Sequence, residues 1–265
     1  MKKAETVEIL LATMGQKNDT ILDKMNINSD IIVCNQNMSD FAYREYKKND
    51  FNVRWFDFRE KGVGLNRNNA LMRSNADICI LSDDDVIYYD NYKEIVLGAF
   101  SNNPLADVIV FNVDSDENKR YEIKRKEKVN ELTCGRFGAV RIAFRRNSVL
   151  KYGIAFNLLF GGGTHFSAGE DTAFLINCVK NKLKVIGVPQ KILKLDPNSQ
   201  SSWFEGYNKK FFFDTGFTYR HHYGKKAHLL ALILLIRHRK NFLRDISMKC
   251  AMKEIKNGIR AFDVY

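Results

Sequence analysis

Three consecutive aspartates, Asp83, Asp84 and Asp85, directly follow a short apolar run in the stretch DICILSDDDVIYYD. Like charges this close together disfavour joint ionisation unless a positive group lies among them. Carboxylates at a strand end suit a hard divalent cation, Mg²⁺ or Mn²⁺, which one or two carboxylates hold together with substrate phosphates. A solvated acidic turn is the alternative, and residues elsewhere in the chain decide between the two interpretations.

A second element is KGVGLNRNNALM, at residues 61–72. Gly62 and Gly64 precede a predicted helix, and Arg67 falls in its first turn. An arginine near a helix N-terminus can bridge phosphate oxygens, aided by free backbone N–H groups. The stretch is neither a dinucleotide fingerprint, since the third glycine is missing, nor a phosphate loop. The alternative is a helix start with a solvated arginine.

A third element is the acidic pair Glu170 and Asp171, which follows the glycine-rich loop GGGTHFSAG at 161–169. Such glycines let the backbone approach a ligand or let a loop move as a lid. Acids in the first turn of a helix also favour its macrodipole, which is the structural alternative. The loop before the pair favours a functional role.

The elements that must position these side chains alternate along the chain. We predict strands at 7–13, 30–35, 51–58, 76–82 and 106–113, and helices at 17–26, 40–48, 64–75 and 91–103. This alternation predicts an α/β fold with a Rossmann-like, mostly parallel sheet covered by helices on both faces. Ligands of such sheets bind outside the carboxyl ends of the strands. Thr13, Met14, Asn35 and the aspartate triplet all fall there.

The second half of the chain continues with a predicted charged surface loop at 118–128, strands at 135–146 and 182–189, and a helix at 171–181. From about residue 203 the chain is helical, aromatic and basic. The stretch 227–240 has about ten nearly continuous apolar residues, too few to span a bilayer. It is either a buried packing helix or, given its basic flanks, a helix lying on an anionic membrane surface.

Charge and cysteine content exclude several classes of protein. The chain has 265 residues and a net charge of +11, which is carried by residues 118–128 (net +4) and 221–265 (net +7). The rest of the chain has no net charge, which argues against a basic surface that binds nucleic acid along the whole protein. We therefore expect no nucleic-acid partner. The five cysteines include no CxxC pair, which argues against a zinc site or a disulfide framework. Glu5 and Glu8 interrupt the N-terminal apolar run, so it is not a signal peptide, and we predict a cytoplasmic protein.

Taken in order, these motifs resemble those of the inverting glycosyltransferases of family 2, which have the nucleotide-sugar-binding GT-A fold. The matching stretches are VEILLATM, DIIVCNQ, KGVGLNRNNAL, ICILSDDDV, and FGGGTHFSAGEDTAFL followed by Ser-Ser-Trp at 201–203. Each motif alone is weak, but the ordered set, over about residues 6–205, is fairly specific. The resemblance implies a GT-A catalytic domain at 1–205 and a helical, basic C-terminal extension at 206–265.

The resemblance also implies roles for single residues. Thr13, Met14 and Asn35 would line the nucleoside pocket, and Arg67 would contact the pyrophosphate, with Asp83 and Asp84 also on the donor side. Asp83 and Asp85 would bind the metal, although the triplet also allows Asp84 and Asp85 to align with the last two acids of the family's usual LDxDD. Asp171 would be the general base, with Glu170 beside it contacting the acceptor or the base. Many relatives have an aspartate that contacts uracil where this chain has Asn35, so the identity of the base stays open.

Residues for the acceptor and for a fuller metal shell are less well marked. Gly163, His165 and Trp203 are candidates for acceptor contacts, Trp203 because an indole ring can stack on a sugar face. His221 and His222 could complete the metal shell, but their spacing does not support it. For each histidine an ordinary polar role is the preferred interpretation.

The function that follows is a metal-dependent, inverting glycosyltransferase using Mn²⁺ or Mg²⁺. It would move a sugar from a nucleotide-diphosphate donor, a UDP-sugar in the first instance, to a glycan or lipid-linked glycan. By analogy, the pathway is bacterial surface polysaccharide synthesis, with peripheral contact at the inner face of the membrane. The alternatives are a haloacid dehalogenase-type phosphohydrolase and a non-catalytic nucleotide- or glycan-binding protein. Ile87, and the several strands before the triplet, argue against the phosphohydrolase.

Overall fold

The computed structural model describes residues 4–37, 40–114, 120–166, 168–197 and 206–264. The chain divides into two compact units. The first unit comprises Met1–Leu158 and Glu170–Gln200, and the second comprises Leu159–Gly169 and Ser201–Tyr265. The division into a catalytic domain at 1–205 and an extension at 206–265 stays a prediction.

The first unit is a sheet with helices. Its strands are β1 (Val7–Met14), β2 (Asp30–Gln36), β3 (Ala42–Lys48), β4 (Phe51–Phe58), β5 (Ile78–Asp83), β6 (Val86–Tyr88), β7 (Val108–Asp114), β8 (Glu127–Lys128), β9 (Ile142–Arg145) and β10 (Val185–Leu195). Its helices are α1 (Thr20–Lys24), α2 (Val63–Arg73), α3 (Tyr92–Asn102), α4 (Arg146–Lys151) and α5 (Glu170–Lys180), with short 3₁₀ turns at Cys134–Arg136 and Ala139–Arg141.

The strands form one sheet in the order β3-β4-β2-β1-β5-β9-β7-β10-β6, with β8 paired to β10. Strands β4, β2, β1 and β5 are parallel neighbours, and β9 enters antiparallel between β5 and β7. The register pairs Thr13 with Asn35, Asn35 with Asp57, and Ala12 with Asp83. The predicted α/β fold with a mostly parallel central sheet is confirmed, and polar strand ends lie side by side at one edge.

The core explains why the apolar runs form strands. Every side chain of β1 from Val7 to Thr13 is buried, which is typical of a parallel strand covered on both faces. Cys34 and Cys79 lie in this core as free thiols, and burial raises the pKa of each to about 12. Both therefore stay protonated at neutral pH and pack as small apolar side chains.

Two local predictions were wrong. The predicted helix at 40–48 is strand β3, which pairs antiparallel with β4 along its whole length. As an edge strand it exposes most of its side chains, so no buried alternation marks it in the sequence. The predicted strand at 135–146 begins with two 3₁₀ turns and is extended only over Ile142–Arg145 before α4 starts.

The second unit contains helices α6 (Lys209–Tyr223), α7 (Ala227–Phe242) and α8 (Met248–Val264). The Asn208 side chain caps α6 by accepting a hydrogen bond from the Phe211 N–H at 2.9 Å. Helices α6 and α8 cross closely at Gly216 and Gly258, where a β-carbon would collide with backbone atoms of the other helix. The predicted helical C-terminal region is confirmed. In the part of the chain that the structure describes, no helix has the length and apolar character needed to cross a membrane.

Candidate active site

The site is organised around Arg67, a buried arginine on α2. Its Nη1 donates to Oε1 of Glu170 at 2.7 Å, and its Nη2 donates to Oδ1 of Asp83 at 2.7 Å. Burial alone would lower the pKa of the guanidinium, but the charges of Asp83 and Glu170 outweigh burial and raise it. One arginine therefore joins the aspartate triplet to the acidic pair, two motifs that are far apart in the sequence.

Glycine and amide side chains hold α2 in place for this contact. Gly62, at φ 120°, lies in a conformation that L side chains rarely adopt. The Gln36 side chain binds Gly62 twice, donating to its carbonyl at 3.0 Å and accepting from its N–H at 3.2 Å. Asn66 donates to the carbonyls of Thr13 and Cys34 at 3.2 and 2.9 Å, which anchors the first turn of α2 to β1 and β2. Arg67 is thus fixed relative to the strand ends.

The three aspartates have three different environments. Asp83 pairs with Arg67, and Asp84 accepts hydrogen bonds from the Thr13 hydroxyl and, at 3.2 Å, from the Gln16 amide. Burial, followed by the charges of Asp83 and Asp84, raises the pKa of Asp85 to about 6, although Arg120 opposes this. A cation bound beside Asp85 would therefore favour the charged form of this carboxylate.

The two acids that open α5 are also distinguished by their surroundings. Glu170 is ion-paired with Arg67, whereas Asp171 accepts a hydrogen bond from the Thr172 N–H at 2.6 Å. Burial and the neighbouring charge of Glu170 raise the pKa of Asp171 well above its usual range, and Arg67 offsets only part of this. This raised pKa gives Asp171 the proton affinity that a general base needs near neutral pH.

A polar network at the ends of β1, β2 and β4 includes residues that the sequence reasoning missed. The Asn35 side chain accepts from Gln16 N–H at 2.9 Å and donates to the Gln16 carbonyl at 2.9 Å and to Asp57 Oδ1 at 2.7 Å. The same Asp57 oxygen accepts from the Trp55 indole at 3.0 Å. Asp57 thus supplies a buried carboxylate beside Asn35. A charged residue at the end of an otherwise apolar strand was the signal for it.

Thr13 and Met14, both predicted to line a nucleoside pocket, end β1 next to this network. Thr13 is buried and its hydroxyl is bound to Asp84, whereas the Met14 side chain is exposed. An exposed apolar side chain, Met14, therefore lies at the end of β1 next to buried amide and carboxylate groups. The nucleoside roles of Thr13, Met14 and Asn35 stay predictions.

The residues that would hold a metal are few. No group of three or more His, Cys, Asp or Glu side chains suited to a metal ion occurs among the residues that the structure describes. The carboxylates of Asp83 and Asp85 are hard oxygen donors, and the pKa of Asp85 is raised by burial and then by neighbouring negative charge, which a cation would compensate. Two such ligands fit Mg²⁺ or Mn²⁺ when substrate phosphates complete the coordination shell.

The remaining predicted residues belong to the second unit. Gly163, at φ 83°, and His165 are exposed in the loop 159–169, where the His165 carbonyl accepts from Lys210 Nζ at 2.9 Å. His221 and His222 lie in the last turn of α6, with their Nδ1 atoms 3.0 Å apart. Trp203 lies outside the described residues. The acceptor and metal roles proposed for these residues stay predictions.

The fold matches that of known glycosyltransferases. The sequence model of glycosyl transferase family 2 matches residues 19–171. A structure of S. aureus TarS 1–349 in complex with UDP-GlcNAc is 14% identical, with a TM-score of 0.61 over 97% of this chain and 80% of that chain. The mannosyltransferase PcManGT from Pyrobaculum calidifontis, in complex with GDP-Man and Mn²⁺, is 11% identical, with a TM-score of 0.54 over 99% and 76% of the two chains. No curated protein matches the sequence at a significant level.

These findings define a GT-A fold and a nucleotide-sugar glycosyltransferase. Since the family model covers more than half of the chain, the chain belongs to glycosyl transferase family 2. This assignment removes the phosphohydrolase alternative. The order of the elements agrees, because the aspartate triplet follows a strand in the middle of the sheet and not one near the N-terminus.

Proposed function

We propose that the protein transfers a sugar from a nucleoside diphosphate donor to a hydroxyl of a glycan acceptor, with inversion at the anomeric carbon. The observation that supports this best is the double ion pair of Arg67 with Asp83 and Glu170. It brings the acid cluster suited to a leaving diphosphate next to the acid suited to deprotonating an acceptor. Inversion by direct displacement requires both groups in one site, on opposite sides of the reacting carbon.

Asp171 is the proposed general base. An acceptor hydroxyl has a high pKa and must lose its proton as it attacks the anomeric carbon. A carboxylate whose own pKa is raised by burial takes that proton more readily than an ordinary aspartate does. Glu170 is the positioning residue, because its ion pair with Arg67 holds the start of α5 and its charge helps to raise the pKa of Asp171.

The leaving-group side is assigned to Asp83, Asp85 and Arg67. Asp83 and Asp85 would hold Mn²⁺ or Mg²⁺, which when bound offsets the charge developing on the departing diphosphate. Arg67 contributes a fixed positive charge at the same edge of the sheet. Its Nε is buried without a hydrogen-bond partner among the described residues, so its two ion pairs do not exhaust its donor capacity. The neighbouring mannosyltransferase structure, which contains Mn²⁺, agrees with this assignment.

A UDP-sugar is the first donor to test, because the similar TarS structures hold UDP-GlcNAc or UDP. The acceptor we propose is a glycan or lipid-linked glycan of a bacterial surface polysaccharide, made on the cytoplasmic side. Gly163 and His165, which are exposed in the glycine-rich loop, are the acceptor contacts that we propose from the sequence motif.

The test is thermal stabilisation by UDP, GDP, ADP, CDP and dTDP, each with Mn²⁺ and with a chelator. A ligand that binds only the folded state raises Tm according to its affinity and concentration. The proposal predicts a clear shift with one diphosphate, strongest with UDP and lost on chelation, followed by turnover of the matching nucleotide sugar. Stabilisation that is equal with and without metal would refute the metal assignment. The absence of any shift would refute the donor assignment.

A further inference from the structure

Helix α7 has two apolar faces, and among the residues that the structure describes only one of these faces is covered by other side chains. Ala227, Ala231, Leu235 and Phe242 are buried in the core of the second unit, together with residues of α6 and α8. Leu229, Leu232, Ile233 and Ile236 are between 40 and 61% exposed. A helix that packs on one side in a globular protein normally has a polar outer face.

The exposed side chains form a continuous stripe. Their spacing is i, i+3, i+4 and i+7, which places all four within roughly 60–100° of one another around the helix axis. Leu243, directly after the helix, is also exposed and extends the same side. Single exposed leucines are ordinary on a protein surface, but a contiguous apolar stripe marks a surface that contacts another phase or molecule.

Basic residues surround the stripe at both ends. Lys225 and Lys226 precede the first exposed leucine, and the segment after the last exposed isoleucine carries Arg237, Arg239, Lys240 and Arg244. All six of these side chains are exposed. The stretch 225–244 contains no aspartate or glutamate. The apolar stripe is therefore framed mainly by positive charge, and the first acid after it is the exposed Asp245.

The charge decides which partner fits this surface. A second copy of the chain placed face to face would bring like charges together around the apolar contact, which costs free energy at each close pair. An anionic bilayer satisfies both features, because the leucines and isoleucines enter the acyl boundary while lysines and arginines meet the headgroups. A helix of 16 residues is about 24 Å long, which suits lying in the membrane plane.

We propose that α7 is a membrane-surface helix, whose stripe Leu229, Leu232, Ile233 and Ile236 inserts into the interface of an anionic bilayer while the flanking lysines and arginines bind its headgroups. The inference does not depend on the transfer reaction, because the binding is measured without donor or acceptor. Failure of the sugar-transfer proposal would leave it intact, and the reverse also holds.

The experiment is co-sedimentation of the full chain with vesicles of phosphatidylcholine alone and with vesicles that also contain phosphatidylglycerol. The wild type is expected to bind the anionic vesicles and to release them at high salt. The Ile233→Gln/Ile236→Gln variant should bind at least about tenfold more weakly, because two apolar side chains no longer enter the interface. Leu105→Gln is the control, since Leu105 is an exposed apolar side chain of the first unit, and it should bind as the wild type does.

A second variant tests the charges separately. Arg237→Gln/Arg239→Gln/Lys240→Gln keeps the apolar stripe and should weaken binding to anionic vesicles by about a hundredfold. All five substituted side chains are exposed, so both variants should keep the melting temperature of the wild type.

Four results would overturn the proposal. The first is a wild-type protein that does not sediment with anionic vesicles. The second is Ile233→Gln/Ile236→Gln binding as tightly as wild type, and the third is equal binding to neutral and anionic vesicles. The fourth is a wild-type dimer, seen by light scattering, that the same isoleucine variant turns into a monomer, which would assign the stripe to a second copy.

Discussion

Replacing Arg67 with methionine tests whether this side chain holds the two acid clusters together. Methionine fills a similar volume and removes the charge, so Asp83 and Glu170 each lose a hydrogen bond of 2.7 Å. The Arg67 side chain is 3% exposed, that of Glu170 is 11% exposed and that of Asp83 is 34% exposed. Water can therefore replace Arg67 at Asp83 but only poorly at Glu170, and most of the cost should come from Glu170.

The magnitude follows from the burial. Removing one partner of a buried ion pair costs about 3–5 kcal/mol, because a buried charge is left without compensation. At roughly 2–4 °C of Tm for each kcal/mol in a domain of this size, Arg67→Met should lower Tm by roughly 6–20 °C at neutral pH.

Thermal unfolding of a double-mutant cycle provides the assay. Adding Glu170→Gln to Arg67→Met should recover much of the lost stability, whereas adding Asp83→Asn should recover little. Arg59→Met is the control, because Arg59 and Asp40 form a surface pair at 3.8 Å and such pairs contribute about 0–1 kcal/mol. If Arg67→Met melts within a degree or two of the control, Arg67 does not organise the site and the reasoning fails.

Three further predictions concern Asp85, the contact between Asn35 and Asp57, and the crossing of α6 and α8. In protein kept free of metal by a chelator, Asp85→Asn should raise Tm at pH 7.5 but not at pH 4. The pKa of Asp85 is raised to about 6 in the folded protein, so the wild type loses stability as pH rises from about 4 through 6. An equal change in Tm at both pH values would contradict this. Asn35→Asp should lower Tm at neutral pH, and by less at pH 5, because it places a second carboxylate beside Asp57. Two such charges about 4 Å apart repel by up to about 4 kcal/mol. An unchanged Tm at pH 7.5 would be inconsistent with the Asn35–Asp57 contact. Gly258→Ala should prevent stable packing of α6 on α8. The control Gly98→Ala lies in a helix with open space around the glycine and should be neutral or stabilising by about 0.5–1 kcal/mol. Equal circular-dichroism melting curves for the two variants would refute the close crossing.

The sequence predicts the central strands and the acid motifs well because their signals are local. Strands β1, β2 and β5 are nearly continuous apolar runs, and burial on both faces of a parallel sheet produces that pattern. The aspartate triplet and the pair Glu170–Asp171 stand where polar residues follow apolar runs. Their positions therefore followed from patterns within a few residues of each motif.

Strand β3 shows what local patterns miss. Its residues AYREYKK include several good helix formers, and Tyr43 and Tyr46 repeat at a helical spacing. The strand exists because it pairs with β4, a contact between segments that no local propensity encodes. Tertiary context outweighs propensity at this edge of the sheet.

The role of Asp57 was missed for a related reason. Its importance depends on β4 lying next to β2, which places its carboxylate 2.7 Å from the Asn35 amide. The order of strands in a parallel sheet is a property of the whole topology. The sequence indicates that Asp57 is a polar residue in an apolar strand, but not which side chain it meets.

Helix α7 shows why the sequence left two interpretations open. Its apolar residues were compatible with a buried packing helix or with a membrane-surface helix. The structure buries one face of α7, as a packing helix requires, and exposes the other, for which membrane contact stays a proposal. Periodicity could not separate the two faces because both are apolar.

The most direct test of the central claim is a comparison of Asp171→Asn with the wild type, measuring binding of UDP with Mn²⁺ and release of nucleoside diphosphate from the matching nucleotide sugar. Asparagine keeps the shape of the side chain but cannot accept the acceptor's proton. The account predicts unchanged binding and turnover reduced by about 10²–10⁴-fold, the usual contribution of a general base. Turnover at the wild-type rate would show that Asp171 is not the base.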